Sequence, residues 1–185
     1  MNLCDIKTIK QIMAMFSLNF RKEFGQNFLT NNMVVEDIAD NCCDDASSTI
    51  LEIGPGIGSL TRELAERYKN VVALEIDHGL IPVLKYTLDG YKNVTVINED
   101  IMTADIDSIL APYFEMGKVA VCANLPYYIT TPILMKFIEQ YLLSYVNNTN
   151  IYGYSARSLF NSVSLYVVPM VNPDGVGFKI IGNFY

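Results

Sequence analysis

The stretch TILEIGPGIGSLTRELAERYKNVVALEID, Thr49 to Asp77, decides the fold. It begins as a short β-branched run, turns through Gly54, Gly56 and Gly58, continues with Leu60, Leu64 and Tyr68 at helical spacing, and closes on a second apolar run. Near-continuous hydrophobicity in a short run is the pattern of a parallel strand buried on both faces. A strand, a helix and a strand in that order make a right-handed crossover unit.

The same alternation continues outward. NVTVINED (Asn93 to Asp100) and KVAVCAN (Lys118 to Asn124) repeat the strand pattern, and HGLIPVLKYTLDGY reads as a helix with Pro82 in its first turns, where proline is tolerated. A further helix is expected from about Asn31 to Asn41. These elements predict an α/β fold, a doubly wound parallel sheet with helices on both faces. At 185 residues, 51% hydrophobic and 18% charged, the chain suits one packed domain.

Ligands of such sheets sit at the carboxyl ends of the strands, near the switch in strand order. Here those ends carry the glycine-rich turn EIGPGIG (Glu52 to Gly58), then Glu75, then Glu99-Asp100, then Asn124-Leu125-Pro126-Tyr127. Each has a plain structural reading: a glycine turn, a solvated strand end, an Asn-capped turn with a buried tyrosine. Together they fit a nucleoside, with glycines beside its tail, Glu75 on the ribose and Asp100 on the amino edge of adenine. Glu75 follows Gly54 by twenty-one residues, the distance at which an acid meets ribose hydroxyls. A dinucleotide fingerprint would place its third glycine at the position Ser59 occupies. Glu52 in the same turn repels a pyrophosphate and suits a cation, which favours S-adenosylmethionine over NAD.

Other classes are disfavoured. Runs such as VSLYVVPMV (Val163 to Val171) are far shorter than the roughly 20 residues of a membrane helix, and the N-terminus lacks a signal pattern, so a cytoplasmic protein with no membrane association is expected. The cysteines Cys4, Cys42, Cys43 and Cys122 show no CxxC spacing and His78 is the only histidine, so neither a metal site nor a disulfide framework is expected. The net charge is −7, and residues 27–138 carry sixteen acidic against seven basic side chains. Only the N-terminal Lys7, Lys10, Arg21 and Lys22 offer a basic face, which argues against a grip on nucleic acid by this chain alone.

FRKEFGQNFLTN (Phe20 to Asn31), LEIGPGIGSLT, ALEID, NEDIM and NLPYYITTPIL, in that order, resemble the rRNA adenine dimethyltransferases of the small ribosomal subunit, relatives of the erythromycin-resistance methyltransferases. The resemblance covers about residues 15–138. It implies a Rossmann-like class I methyltransferase sheet, here truncated, S-adenosylmethionine as cofactor and small-subunit rRNA as partner; a monomer is expected. It implies that Asn27, Leu29, Gly54, Glu75, Asp100 and Asn124 line the cofactor. Asn124, Leu125, Pro126 and Tyr127 would be catalytic: the Asn124 oxygen and a main-chain carbonyl of the Leu125-Pro126 turn accept the two N–H groups of an adenine amine, and Tyr127 stacks on the extruded base. GQNFL would fold over the ligand as a lid, or else form a loop burying Phe28 and Leu29.

After about Glu139 the family pattern stops, and its C-terminal helical domain is not found. Lys136 to Val176 resembles an internal piece of a zinc carboxypeptidase-type protein that ends in NPDG, without that protein's metal motif. The pattern there predicts a helix from Thr131 to about Val146, a short helix over YSARSLFN, and a fifth parallel strand over Ser164 to Met170. A truncated or chimeric S-adenosylmethionine-binding domain without catalytic activity is the alternative function.

Overall fold

A computed structural model describes residues 1–18 and 28–146 and the short strand segments 150–151, 154–155, 163–165 and 168–169. Four parallel strands form the centre: β1 (Thr49–Ile53), β2 (Asn70–Leu74), β3 (Val94–Ile97) and β4 (Val119–Leu125), in the order β3-β2-β1-β4. Order reverses between β1 and β4, which pair from Thr49↔Val119 to Ile53↔Ala123. The crevice above the C-terminal ends of these two strands is the switch point at which open α/β sheets bind ligands.

Alternate residues of the strands feed two cores. Ile50, Val71, Ala120 and Cys122 pack with α2 (Asn32–Asp40) and α3 (Ser59–Arg67) on one face. Leu51, Val72, Val121 and Leu125 pack on the other with α5 (Ile106–Phe114) and with α6 (Tyr127–Val146), which contributes the buried Ile133. Residues buried on successive sides account for the unbroken apolar runs of the sequence. A third cluster joins α1 (Ile6–Met15) and α4 (Ile81–Thr87) beneath Ile57 of the glycine turn. The 3-10 turn His78–Leu80 leads into α4, and Pro82 falls in that helix's first turn.

α1 and α5 have no counterpart in the sequence reading. In α1, buried Ile9, Ile12 and Met13 keep helical spacing, but exposed Ile6 and Met15 blur the stripe. In α5, Pro112 interrupts an otherwise helical run. The tail departs further from expectation. Tyr154–Ser155, the start of the expected YSARSLFN helix, is instead a strand, β6, antiparallel to β5 (Asn150–Ile151), and the remainder of that expected helix lies outside the described residues. Of the strand expected over Ser164 to Met170, two pieces fall within the described residues, and the remainder lies outside them. β7 (Val163–Leu165) and β8 (Val168–Pro169) lie parallel to β4 at its start and end respectively.

Candidate functional site

Glu52 lies inside β1 between Ala73 of β2 and Cys122 of β4, and it is 1% exposed. Its Oε2 has no hydrogen-bond partner among the described residues. The nearby Thr61 hydroxyl on α3, whose influence offsets part of the carboxyl's rise, is likewise buried without a bond made. Burial pushes the Glu52 carboxyl up to about 8, and the negative charge of Glu75 adds to the rise. A buried polar group left unpaired in a native fold calls for an explanation, and a ligand is one.

Glu75, at the end of β2, accepts from the backbone amide of Gly56 at 3.1 Å and from that of Asp77 at 2.8 Å. Burial raises its carboxyl, while those amides pull it back down. Its main-chain carbonyl is held by the Asn98 amide group at 2.6 Å and by the Glu99 amide at 3.1 Å, so β3 fixes where β2 ends.

The glycine turn connects β1 to α3. Gly58 caps α3 at φ 89°, a left-handed conformation suited to glycine, and a Cβ there would lie 3.1 Å from Leu88 Cδ2 and from Thr87 Oγ1. At Gly56, φ is 61° and a Cβ would meet the Phe28 ring at 3.3 Å, so Phe28 lies against the turn from outside.

These pieces wall one cleft. Glu52, Gly54, Gly56 and Glu75 form its floor, Phe28 and Leu29 stand on one side, and Asn124 and Pro126 close the β4 end. None of the described residues lining the cleft is basic. A cradle with an unpaired buried carboxyl, a second carboxyl and no cation fits a positively charged nucleoside such as S-adenosylmethionine, and fits a pyrophosphate poorly.

The structure thus brings Leu29, Gly54, Glu75, Asn124 and Pro126 together. Asp100 stands apart from the lining, in the turn after β3. There its Oδ1 accepts the Met102 amide at 2.8 Å and its main-chain carbonyl accepts the amides of Thr103 and Ala104. Leu125 turns its side chain into the core at 3% exposure, leaving its main chain as what it can offer a ligand. The Pro126 carbonyl is taken by the first turn of α6, accepting from Ile129 N, Thr130 N and, at 2.9 Å, Thr130 Oγ1. Tyr127 opens α6, and Asn27 lies outside the described residues.

Sequence reasoning missed Ile76, a cleft residue that is 47% exposed beside Glu75. An apolar residue between two acids at a strand end was the available signal. Among the described residues no group of three or more His, Cys, Asp or Glu side chains could hold a metal, and no helix is long and apolar enough to cross a membrane.

Residues 17–151 match the family described as ribosomal RNA adenine dimethylase. Ribosomal RNA small subunit methyltransferase A of Alkaliphilus metalliredigens is 48% identical over 131 residues, which is 71% of this chain and 46% of that protein. The protein of the same name from Staphylococcus haemolyticus is 50% identical over 132 residues, 71% of this chain and 45% of its own length. The chain therefore spans about half the length of these curated relatives. Among solved structures, 23S rRNA methyltransferase ErmE superposes with a TM-score of 0.56 at 28% identity, covering 77% of this chain and 48% of that one. A dimethyladenosine transferase from Plasmodium falciparum does so with a TM-score of 0.50 at 25% identity, covering 75% and 42%. With the motif-bearing turns placed around one cleft and relatives this similar across most of its residues, the chain belongs to the ribosomal RNA adenine dimethylase family.

Proposed function

We propose that this chain is the S-adenosylmethionine-binding core of an enzyme that dimethylates the exocyclic amine of adenines in small-subunit rRNA. The observation that carries the reading is the cleft at the β1/β4 switch, where an unpaired buried Glu52 and a backbone-tethered Glu75 face Asn124 across a glycine turn. The relatives named for small-subunit rRNA supply the substrate class.

In this reading Glu75 accepts the ribose hydroxyls, Asp100 meets the amino edge of the cofactor's adenine, and Gly54, Leu29 and Asn27 line the remainder. Bound there, the cofactor supplies an electrophilic methyl on a sulfonium. The chain's own residues prepare the nucleophile. An adenine amine is weakly nucleophilic because its lone pair is drawn into the ring. The Asn124 side-chain oxygen and a main-chain carbonyl accept its two N–H groups, drawing the nitrogen toward tetrahedral geometry. Because the Pro126 carbonyl is engaged by α6, Leu125 is the residue assigned that second acceptor. Tyr127 supplies the face on which the extruded base stacks. Positioning and fixed dipoles carry the acceleration, with no general base assigned.

The protein is assigned a cytoplasmic location and a monomeric state. The family match runs on to residue 151, past the boundary expected at about Glu139, and the segment beyond it is read as akin to a zinc carboxypeptidase-type protein, with no metal role. A second reading, a cofactor-binding domain without catalysis, draws on the sixteen acidic against seven basic side chains of residues 27–138, a balance that repels phosphate. Calorimetry of the purified chain with S-adenosylmethionine, followed by methyl transfer to small ribosomal subunits, separates the two. Binding with transfer supports the first reading, binding without transfer the second, and no binding by folded protein defeats both.

A further inference from the structure

Lys136 is half-buried on α6, the helix that begins directly after Pro126. Its ammonium donates to two main-chain carbonyls in the turn after β3, that of Ile101 at 2.6 Å and that of Ala104 at 3.0 Å. The same turn is closed internally on Asp100. The Asp100 carbonyl accepts the amides of Thr103 at 3.0 Å and Ala104 at 2.8 Å, and its Oδ1 accepts the Met102 amide at 2.8 Å. Ile101 and Ala104 share an apolar cluster with Ile133 of α6, and Ile129 and Phe137 pack against it. Lys136 therefore sits at the edge of a hydrophobic contact between α6 and the Asp100 turn and adds two charge-assisted hydrogen bonds to it. Apolar packing is non-directional. Bonds from a charged donor to two carbonyls are stronger than neutral ones and fix an orientation.

We propose that Lys136 is a positioning residue that ties the Asp100 turn to the helix following Asn124-Leu125-Pro126, so that Asp100 keeps one spacing from the β4 end of the cleft. The proposal rests on the reading of Asp100 as the contact to the cofactor's adenine. It adds a residue that touches neither ligand and acts through the main chain of the turn.

The test is calorimetric binding of S-adenosylhomocysteine to the wild-type chain, Lys136→Met, Lys136→Arg, Asp100→Asn and the double variant Lys136→Met/Asp100→Asn. Amide hydrogen exchange at Met102 to Ala104 is followed without ligand. Lys136→Met is expected to bind about 10-fold more weakly and to exchange faster in the turn, Lys136→Arg to stay within about 3-fold of wild type, and the double variant to bind no more weakly than Asp100→Asn, since residues acting through one contact are non-additive. Losses that multiply, wild-type affinity in Lys136→Met, or exchange unchanged by that substitution would each overturn the tether while leaving the cofactor reading intact. If Lys136→Met does not fold, Lys136→Arg with affinity reduced about 10-fold overturns it equally. No binding by folded wild-type protein overturns the cofactor reading, and this assignment with it.

Discussion

The Glu75 carboxylate accepts the backbone amide of Gly56 at 3.1 Å, so an acid at the end of β2 holds the glycine turn that follows β1. The bond joins the loops after β1 and β2, which the sheet places side by side, and the Asp77 amide occupies the second oxygen at 2.8 Å. Glu75 thus shapes the cleft besides offering a charge to it. Glu75→Ala is expected to abolish measurable S-adenosylmethionine binding and to lower stability by about 1–3 kcal/mol, the cost of leaving buried donors unpaired. Glu75→Gln keeps one acceptor oxygen and is expected to fold nearly as well while binding at least about 10-fold more weakly, because a neutral amide forfeits the charge-assisted bonds to ribose. Calorimetry and urea unfolding on both variants check this, and a Glu75→Gln protein that binds like wild type would remove the ribose role.

Glu52 sets a pH dependence of defined sign. Its folded value, about 8, lies above the ordinary value of 4.5, so between these limits the folded state keeps a proton that the unfolded chain releases. Stability is greatest below that window and falls as pH rises through it, at about 1.4 kcal/mol per pH unit for one such group. Glu52→Gln has no proton to lose there. Its unfolding free energy relative to wild type is expected to be flat below pH 4.5, then to climb until about pH 8, reaching a few kcal/mol in favour of the variant. The burial-raised Glu75 is present in both proteins and cancels in the difference. A cationic ligand favours the ionised form of this carboxyl, and the same substitution, which cannot ionise, is expected to weaken cofactor binding. A difference that stays constant with pH would show Glu52 to be ionised throughout.

The two crowded glycines of the turn separate fold from site. Gly58→Ala places a methyl 3.1 Å from both Leu88 and Thr87 in the core, at a φ of 89°. Gly56→Ala meets only the ring of Phe28, at the rim of the cleft, at a φ of 61°. Each left-handed alanine costs about 1–2 kcal/mol, and Gly58→Ala adds overpacking of about 1–3 kcal/mol. Gly58→Ala is therefore expected to melt several degrees below Gly56→Ala, while Gly56→Ala shows the larger loss of cofactor affinity relative to its loss of stability. Thermal melting and calorimetry on the pair decide it, and the reverse order would place Phe28 away from the ligand.

Much of this was legible because buried parallel strands write themselves as unbroken apolar runs. Val71 to Leu74 and Val119 to Ala123 are buried throughout, and the ends of those runs mark the cleft. β3 was legible for a different reason: it is only partly buried at the sheet edge, but Val94, Val96 and Ile97 keep its β-branched character. What stayed hidden depends on tertiary contact. α1 is amphipathic only against Ile57 and Val83, residues far along the chain. Lys136 reads as an ordinary exposed charge until the helix carries it to Ile101 and Ala104. The occupation of the Pro126 carbonyl by Thr130 follows from α6 starting at Tyr127, earlier than the periodicity from Thr131 onward implied. Tyr154-Ser155 was expected to open a helix but has a strand partner in Asn150-Ile151, a pairing that local propensity does not encode.

Asn124 carries the sharpest test of the chemistry. It stands near the end of β4 at the cleft wall, with Ala123 and Leu125 on either side buried in the core, so packing of its neighbours fixes its backbone. Asn124→Ala is expected to keep the fold and to reduce methyl transfer by at least about 100-fold, the scale seen when one preorganised partner of the reacting group is removed. Asn124→Asp discriminates further. It retains an oxygen acceptor for the amine but brings a third carboxyl into a cleft already holding Glu52 and Glu75, so burial and like charge drive it toward the protonated form at neutral pH. Transfer by Asn124→Asp is therefore expected to recover as pH rises and the carboxylate forms, whereas Asn124→Ala stays inactive at every pH. Single-turnover methyl transfer to small ribosomal subunits across pH 6 to about 9, with cofactor affinity measured alongside, reads both. Transfer that persists in Asn124→Ala would place the amine acceptors elsewhere in the cleft.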